Sequence, residues 1–143
     1  MKPAAKFGVV LGQVVVKKRK QLRLTQGIAA KRMGLPQSSL SRLERGSAFF
    51  TVGQLRRAAN VFETQVSRLF LEAEAGAAAL TKKGVEVLDD EPAEEERHRW
   101  IWVAPREVEQ VVATIRLRSD SDLWNPKLRE KDQEKVKTYV RRP

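Results

Sequence analysis

The stretch that most constrains this chain runs from Gln26 to Arg45, QGIAAKRMGLPQSSLSRLER. Its apolar spacing describes two short helices joined by a tight turn. Ile28, Ala29, Ala30 and Met33 can face inward on the first, and Leu40 and Leu43 on the second. Gly34 stands between them, where a backbone without a Cβ takes a positive φ cheaply and reverses direction. The small side chain of Ala30 lets the second helix lie close across the first, and Leu40 and Leu43 plug the angle between them. This is the spacing of a helix-turn-helix.

Charge is distributed unevenly around that motif. Residues 1–70 hold 14 Lys/Arg against two acids, Glu44 and Glu63, whereas residues 71–143 hold 14 Lys/Arg against 16 acids. A compact basic half beside a near-neutral one suits a polyanion binder with a separate partner region. There is no cysteine, which excludes disulfide scaffolds, zinc–cysteine sites and thiol nucleophiles together. No apolar run approaches the roughly 20 residues of a membrane span. The opening MKPAAKFGVVLGQVVV superficially resembles a signal peptide, but Gln13 interrupts it and KKRKQ follows. It reads as helix, and the chain as cytoplasmic.

Taken in order, a first helix is expected from about Phe7 to Leu22, although the β-branched Val14-Val15-Val16 keeps strand as a competing reading. Thr25 can cap the second helix, Gln26 to about Met33, through its hydroxyl. Pro36 suits the opening of a third helix, Pro36 to Arg45, which Gly46 ends. A fourth helix from Thr51 carries Val52, Leu55, Ala58, Ala59 and Phe62 on one side. A short fifth, about Thr64 to Leu71, closes the core with Val66, Leu69 and Phe70.

These residues resemble the Xre family, the lambda-repressor-like helix-turn-helix domain, over positions 8–70. The matching features are Leu11-Gly12, Arg19, Leu24-Thr25-Gln26, Ala30, Gly34, Ser41-Arg42-Leu43-Glu44-Arg45-Gly46, and Leu55 with Ala59 and Phe62. The resemblance implies a five-helix DNA-binding domain working as a homodimer on a pseudo-palindromic operator, with half-sites about one turn, ~34 Å, apart. It puts Gln37, Ser38, Ser41 and Arg42 against base edges and Gln26 against a phosphate. Thr25 is a cap that can also meet phosphate, and Arg45 and Ser47 touch the phosphate backbone on the other flank. It also makes Arg19 and Glu44 a structural salt bridge between the first helix and the end of the third.

Five positions depart from the family pattern. Arg23 stands where glycine is usual, so a positive φ is expected there. Gly27 sits in the first turn of the second helix, at a cost in stability. Ala29 replaces a usual leucine, leaving volume that Phe49 or Phe50 can fill. Those two phenylalanines occupy a loop that is normally polar, and serve either the core or a partner contact.

The second half is less regular. Leu71 to Leu80 can extend the fifth helix, and GVEVLDDEPAEEE, residues 84–96, reads as an acidic linker. Trp100 and Trp102 share one face of an expected strand, with Ile101 on the other. Val108, Val111, Val112 and Ile115 have helical spacing, and a last charged helix is expected from about Lys127 to Tyr139.

The expected fold is therefore mainly α: a helix-turn-helix domain at 1–71, a helical extension and acidic linker at 72–96, and a small α/β or partly disordered region at 97–143. That last region is expected to serve dimerisation or a protein partner. The single histidine, His98, makes a metal site improbable, no cofactor is expected, and no arrangement of catalytic residues stands out. A DNA-binding transcriptional regulator follows, with an antitoxin-like interaction protein that represses its own promoter as the alternative. A small-molecule sensor using the tryptophan region is a third reading.

Overall fold

The computed structural model describes residues 1–117, and its first element is one the sequence reading missed. Lys2–Lys6 is not helix but a strand, β1. Nothing in KPAAK favours a strand locally. It forms because two later segments, β2 (Glu86–Leu88) and β3 (Trp100–Trp102), pair with it in parallel on either side, in the order β2-β1-β3. Ala4 and Ala5 are buried in the middle of this small sheet. Parallel neighbours require long connections, and here all the helices from α1 to α5 lie between β1 and β2.

The helices are α1 (Phe7–Gln21), α2 (Gln26–Arg32), α3 (Gln37–Arg45), α4 (Val52–Val61), α5 (Val66–Lys82) and α6 (Pro105–Ala113). The Val14-Val15-Val16 run is helical, and every residue from Val9 to Val16 is buried. A helix that is apolar all round belongs in an interior. α1 accordingly packs against α3 on one flank and α5 and α6 on others. Burial against these neighbours outweighs the few tenths of a kcal/mol by which each valine disfavours helix.

Two clusters fill the interior. One joins Val10, Leu11 and Val14 of α1 to Leu55, Leu69, Leu80, Val108 and Val112. The other, under the helix-turn-helix, joins Val15, Ala29, Ala30, Met33, Leu40, Ala58 and Phe62. Phe50 is half-buried against both, the second being the cluster that holds Ala29, whereas Phe49 is 75% exposed. Phe70 stacks on Phe7 with ring centroids 6.5 Å apart.

α5 runs well past Leu71, to Lys82, and passes α1 and α6 at Gly76. A Cβ there would stand 3.2 Å from both Val10 and Val112. Residues 84–96 differ from the linker expected. They carry β2 and the start of a 3-10 helix (Glu94–Arg99), and Lys6 holds Glu91 at 2.5 Å. Their acidic, proline-broken composition hid a strand only three residues long. Beyond it, β3 pairs with β1, and α6 packs on α1 and α5 of the same chain. The helix expected at Lys127 to Tyr139 lies outside the described residues. The chain is thus mainly helical, with an N-terminal helix-turn-helix and a small sheet built largely by later segments.

Candidate nucleic-acid interface

The helix-turn-helix is assembled by local signals. Thr25 Oγ1 accepts the Ile28 N–H at 3.2 Å and starts α2. Gly34 takes φ +69°, and Leu35 N–H bonds back to Ala30 O at 2.9 Å, ending α2. Pro36, with φ −61°, precedes α3, and Gly46 with φ +75° ends it. Arg23 sits at φ +55°, in the left-handed region where the sequence put it. Arg57 Nη1 donates to Met33 O at 3.3 Å, pinning the turn from α4.

α3 has two unlike sides. Leu40, Leu43 and Glu44 are buried, while Gln37, Ser38, Arg42 and Arg45 are exposed and Ser41 is half-exposed. Arg42 and Arg45 make no ion pair among the described residues, and Gln37 makes no hydrogen bond there. An amide with free donor and acceptor, and a guanidinium with free donors, are the groups that read adenine and guanine edges. Exposed Lys31 and Arg32 on α2, and Arg56 on α4, add positive charge to the same small bundle.

Behind α3 lies a polar network that locks its far end. Arg19 grips Glu44 with Nε to Oε2 at 2.8 Å and Nη2 to Oε1 at 3.1 Å, and its Nη1 donates to Leu24 O at 3.1 Å. Gln26 Nε2 donates to Glu44 Oε1 at 2.8 Å. Glu44 is 3% exposed, so its charge is neutralised inside the fold rather than presented to a polyanion. The sequence reading missed the neighbours of this network. Gln13, the residue that breaks the apolar run of α1, is buried and donates to Glu44 O at 2.8 Å. Beside it α1 passes so close to α3 that a Cβ on Gly12 would stand 2.5 Å from the Leu43 and Glu44 carbonyl oxygens. A polar residue inside an otherwise buried apolar helix was the available signal.

The four residues expected at phosphate differ in what they have to offer. Thr25 is exposed, and its hydroxyl keeps its proton free for a second partner after capping α2. Gln26 has one amide hydrogen committed to Glu44, with no other side-chain hydrogen bond among the described residues. Arg45 is exposed and makes no ion pair among the described residues. Ser47 is different: its backbone N–H and its exposed hydroxyl both donate to Arg42 O, at 3.0 and 3.2 Å, so its hydroxyl must turn from that carbonyl to meet an anion.

A second buried carboxylate lies on another side of α1. Glu72 of α5 meets Lys17 Nζ at 2.9 Å and Lys18 Nζ at 2.8 Å, the latter out of hydrogen-bond alignment. Burial pushes the Glu72 carboxyl up, but the close ammonium groups of Lys18 and Lys17, the latter hydrogen-bonded to it, outweigh burial and hold the group below its ordinary range. Lys17 also donates to Ile115 O at 2.9 Å, just beyond α6.

No group of acidic, histidine or cysteine residues among the described residues could hold a metal, and no helix there is long and apolar enough to cross a membrane. Neither a curated protein nor a solved structure matches the chain. Residues 11–69, somewhat under half of the sequence, match the model of a helix-turn-helix domain family, which binds DNA and is not a family of enzymes.

Proposed function

We propose that this chain is a sequence-specific DNA-binding transcriptional regulator of the Xre type, with α3 in the major groove. The observation that carries the reading is the two-sidedness of α3. Its inner side is locked by Leu40, Leu43 and the Arg19–Glu44 pair, while Gln37, Ser38 and Arg42 stand outward, with Ser41 half-exposed beside them. In this reading Gln37 and Arg42 read bases, Ser38 and Ser41 make lesser base contacts, and Thr25, Gln26 and Arg45 hold phosphates. Ser47 joins them once its hydroxyl turns from the Arg42 carbonyl at the end of α3. One such helix touches few base pairs, so a homodimer on a pseudo-palindromic operator supplies the second half-site.

Binding to genomic fragments across a salt series tests this, with wild type beside Gln37→Ala and Arg42→Ala. Affinity should fall steeply with salt. Each variant should lose about 1–3 kcal/mol of discrimination at its own base pair while keeping non-specific binding. Variants that select like wild type would remove α3 from the reading role.

A second reading draws on Ile101 and Trp102, 51% and 39% exposed on an outer strand of the sheet. These would suit an antitoxin-like chain whose residues 97–143 hold a protein partner. Protection of Trp102 from solvent quenchers on adding cell extract from the source would favour it.

A further inference from the structure

Gly27 is the second residue of α2, and nothing in its backbone calls for glycine: the positive-φ glycines among the described residues are Gly34, Gly46 and Gly84. A glycine inside a helix weakens it relative to alanine, so its presence there needs another cause. Around most of residue 27 there is open space. A Cβ would meet a single side chain, that of Gln37, with Oε1 at 3.3 Å and Cδ at 3.8 Å. Gln37 opens α3, is exposed, and has no hydrogen bond to another described residue to fix its amide.

We propose that Gly27 is a positioning residue for Gln37: the missing side chain opens a seat on the first turn of α2 against which the Gln37 amide lies. This deepens the regulator reading and rests on it. A side chain with three rotatable bonds on an exposed surface discriminates bases poorly unless its amide is held in one plane. With Oε1 and Cδ 3.3 and 3.8 Å from where a Cβ on residue 27 would stand, the open first turn of α2 gives the amide room to settle there, and no hydrogen bond to another described residue competes with a base edge. A methyl at residue 27 would stand closer to Oε1 than ordinary van der Waals contact allows. The exposed Gln37 amide, rather than the fold, would then give way by a few tenths of an ångström and lose the position it holds beside glycine. Residue 27 thus influences which base Gln37 reads without touching DNA itself.

The test compares wild type, Gly27→Ala, Gln37→Ala and the double variant. Each is selected against a random-sequence duplex library and melted without DNA. Gly27→Ala should melt a few degrees higher than wild type, since it relieves a helix glycine. It should keep salt-dependent non-specific binding, yet lose roughly 5- to 30-fold of the preference at the base pair that Gln37→Ala also affects. The double variant should be no worse than Gln37→Ala, because both changes act through one side chain. Independently of DNA, the side-chain amide NMR signals of Gln37, identified by their loss in Gln37→Ala, should move in Gly27→Ala.

Unmoved amide signals, or a Gly27→Ala variant with wild-type preference beside a Gln37→Ala variant that has lost it, overturn the inference alone. So does a further loss when Gly27→Ala is added to Gln37→Ala. A wild-type protein that prefers no sequence, or a Gln37→Ala variant with unchanged preference, overturns the reading-head assignment and this inference with it.

Discussion

Glu44 and Glu72 are both buried against the basic end of α1, yet they are held differently and to different ends. Glu44 comes from α3 and takes the planar fork of Arg19 on both oxygens, with Gln26 completing the set. Glu72 comes from α5 and takes two lysines, Lys17 and Lys18, with one contact out of alignment. A guanidinium fork dictates the plane and approach of its carboxylate, whereas ammonium groups act as point charges that tolerate several geometries. The first pair therefore sets the angle between α1 and α3, on which presentation of the outward side chains depends. The second fastens α5, and through Lys17 the end of α6, to the same helix. α1 is the beam shared by the helix-turn-helix and by the elements that follow it.

The comparison can be broken most directly at Glu44. Glu44→Ala leaves Arg19 and Gln26 facing an empty buried site, which should cost about 3–5 kcal/mol. Urea unfolding would measure it, and base selectivity should fall with it as α3 loosens. A loss under about 1 kcal/mol, the range of a surface pair, would show that the fork does not set this geometry.

Glu72→Gln keeps the shape and removes the charge, and should cost about 2 kcal/mol at neutral pH with DNA selectivity retained. Its pH dependence sharpens the contrast. The folded-state carboxyl titrates below its ordinary value of 4.5, so the charge contributes fully above that value and is lost as pH falls through the lower folded value. The gap between wild type and Glu72→Gln should close in acid. A gap that stays constant from pH 7 to acid would mean that the two lysines do not stabilise the carboxylate.

The smallest effect is expected at the rim. Glu91 also titrates below its ordinary range, chiefly through the Lys6 hydrogen bond, but both side chains are solvent-accessible. Glu91→Gln should shift stability by less than about 1 kcal/mol, and salt should erase the difference. A larger loss would make the β1–β2 edge as important as the two buried carboxylates.

Much of the helix-turn-helix was legible because its signals are local. Thr25 caps within four residues, Gly34 and Gly46 turn where a Cβ is unwelcome, and Leu40 and Leu43 repeat at helical spacing. Even the positive φ at Arg23 could be anticipated from the position it occupies. The outward residues of α3 followed from the inward ones. The hydrogen bond from Ser47 to the Arg42 carbonyl was harder to read, because it depends on the turn that Gly46 makes rather than on the serine itself. The Lys17–Glu72 pair joins residues far apart in sequence and belongs to no motif, so no local pattern announces it.

The sequence alone thus determined the two crossed helices, their turn, and a basic surface, since each depends on short-range spacing, capping and charge. Tertiary structure alone decided that KPAAK is a strand, because its partners Glu86–Leu88 and Trp100–Trp102 lie some 80 to 100 residues further along the chain. It also decided that α1 could carry valine all round, because α3, α5 and α6 bury it from several directions. The vacant seat at Gly27 becomes visible only when α2 and α3 are brought together, because what a missing side chain makes room for is a property of the neighbour.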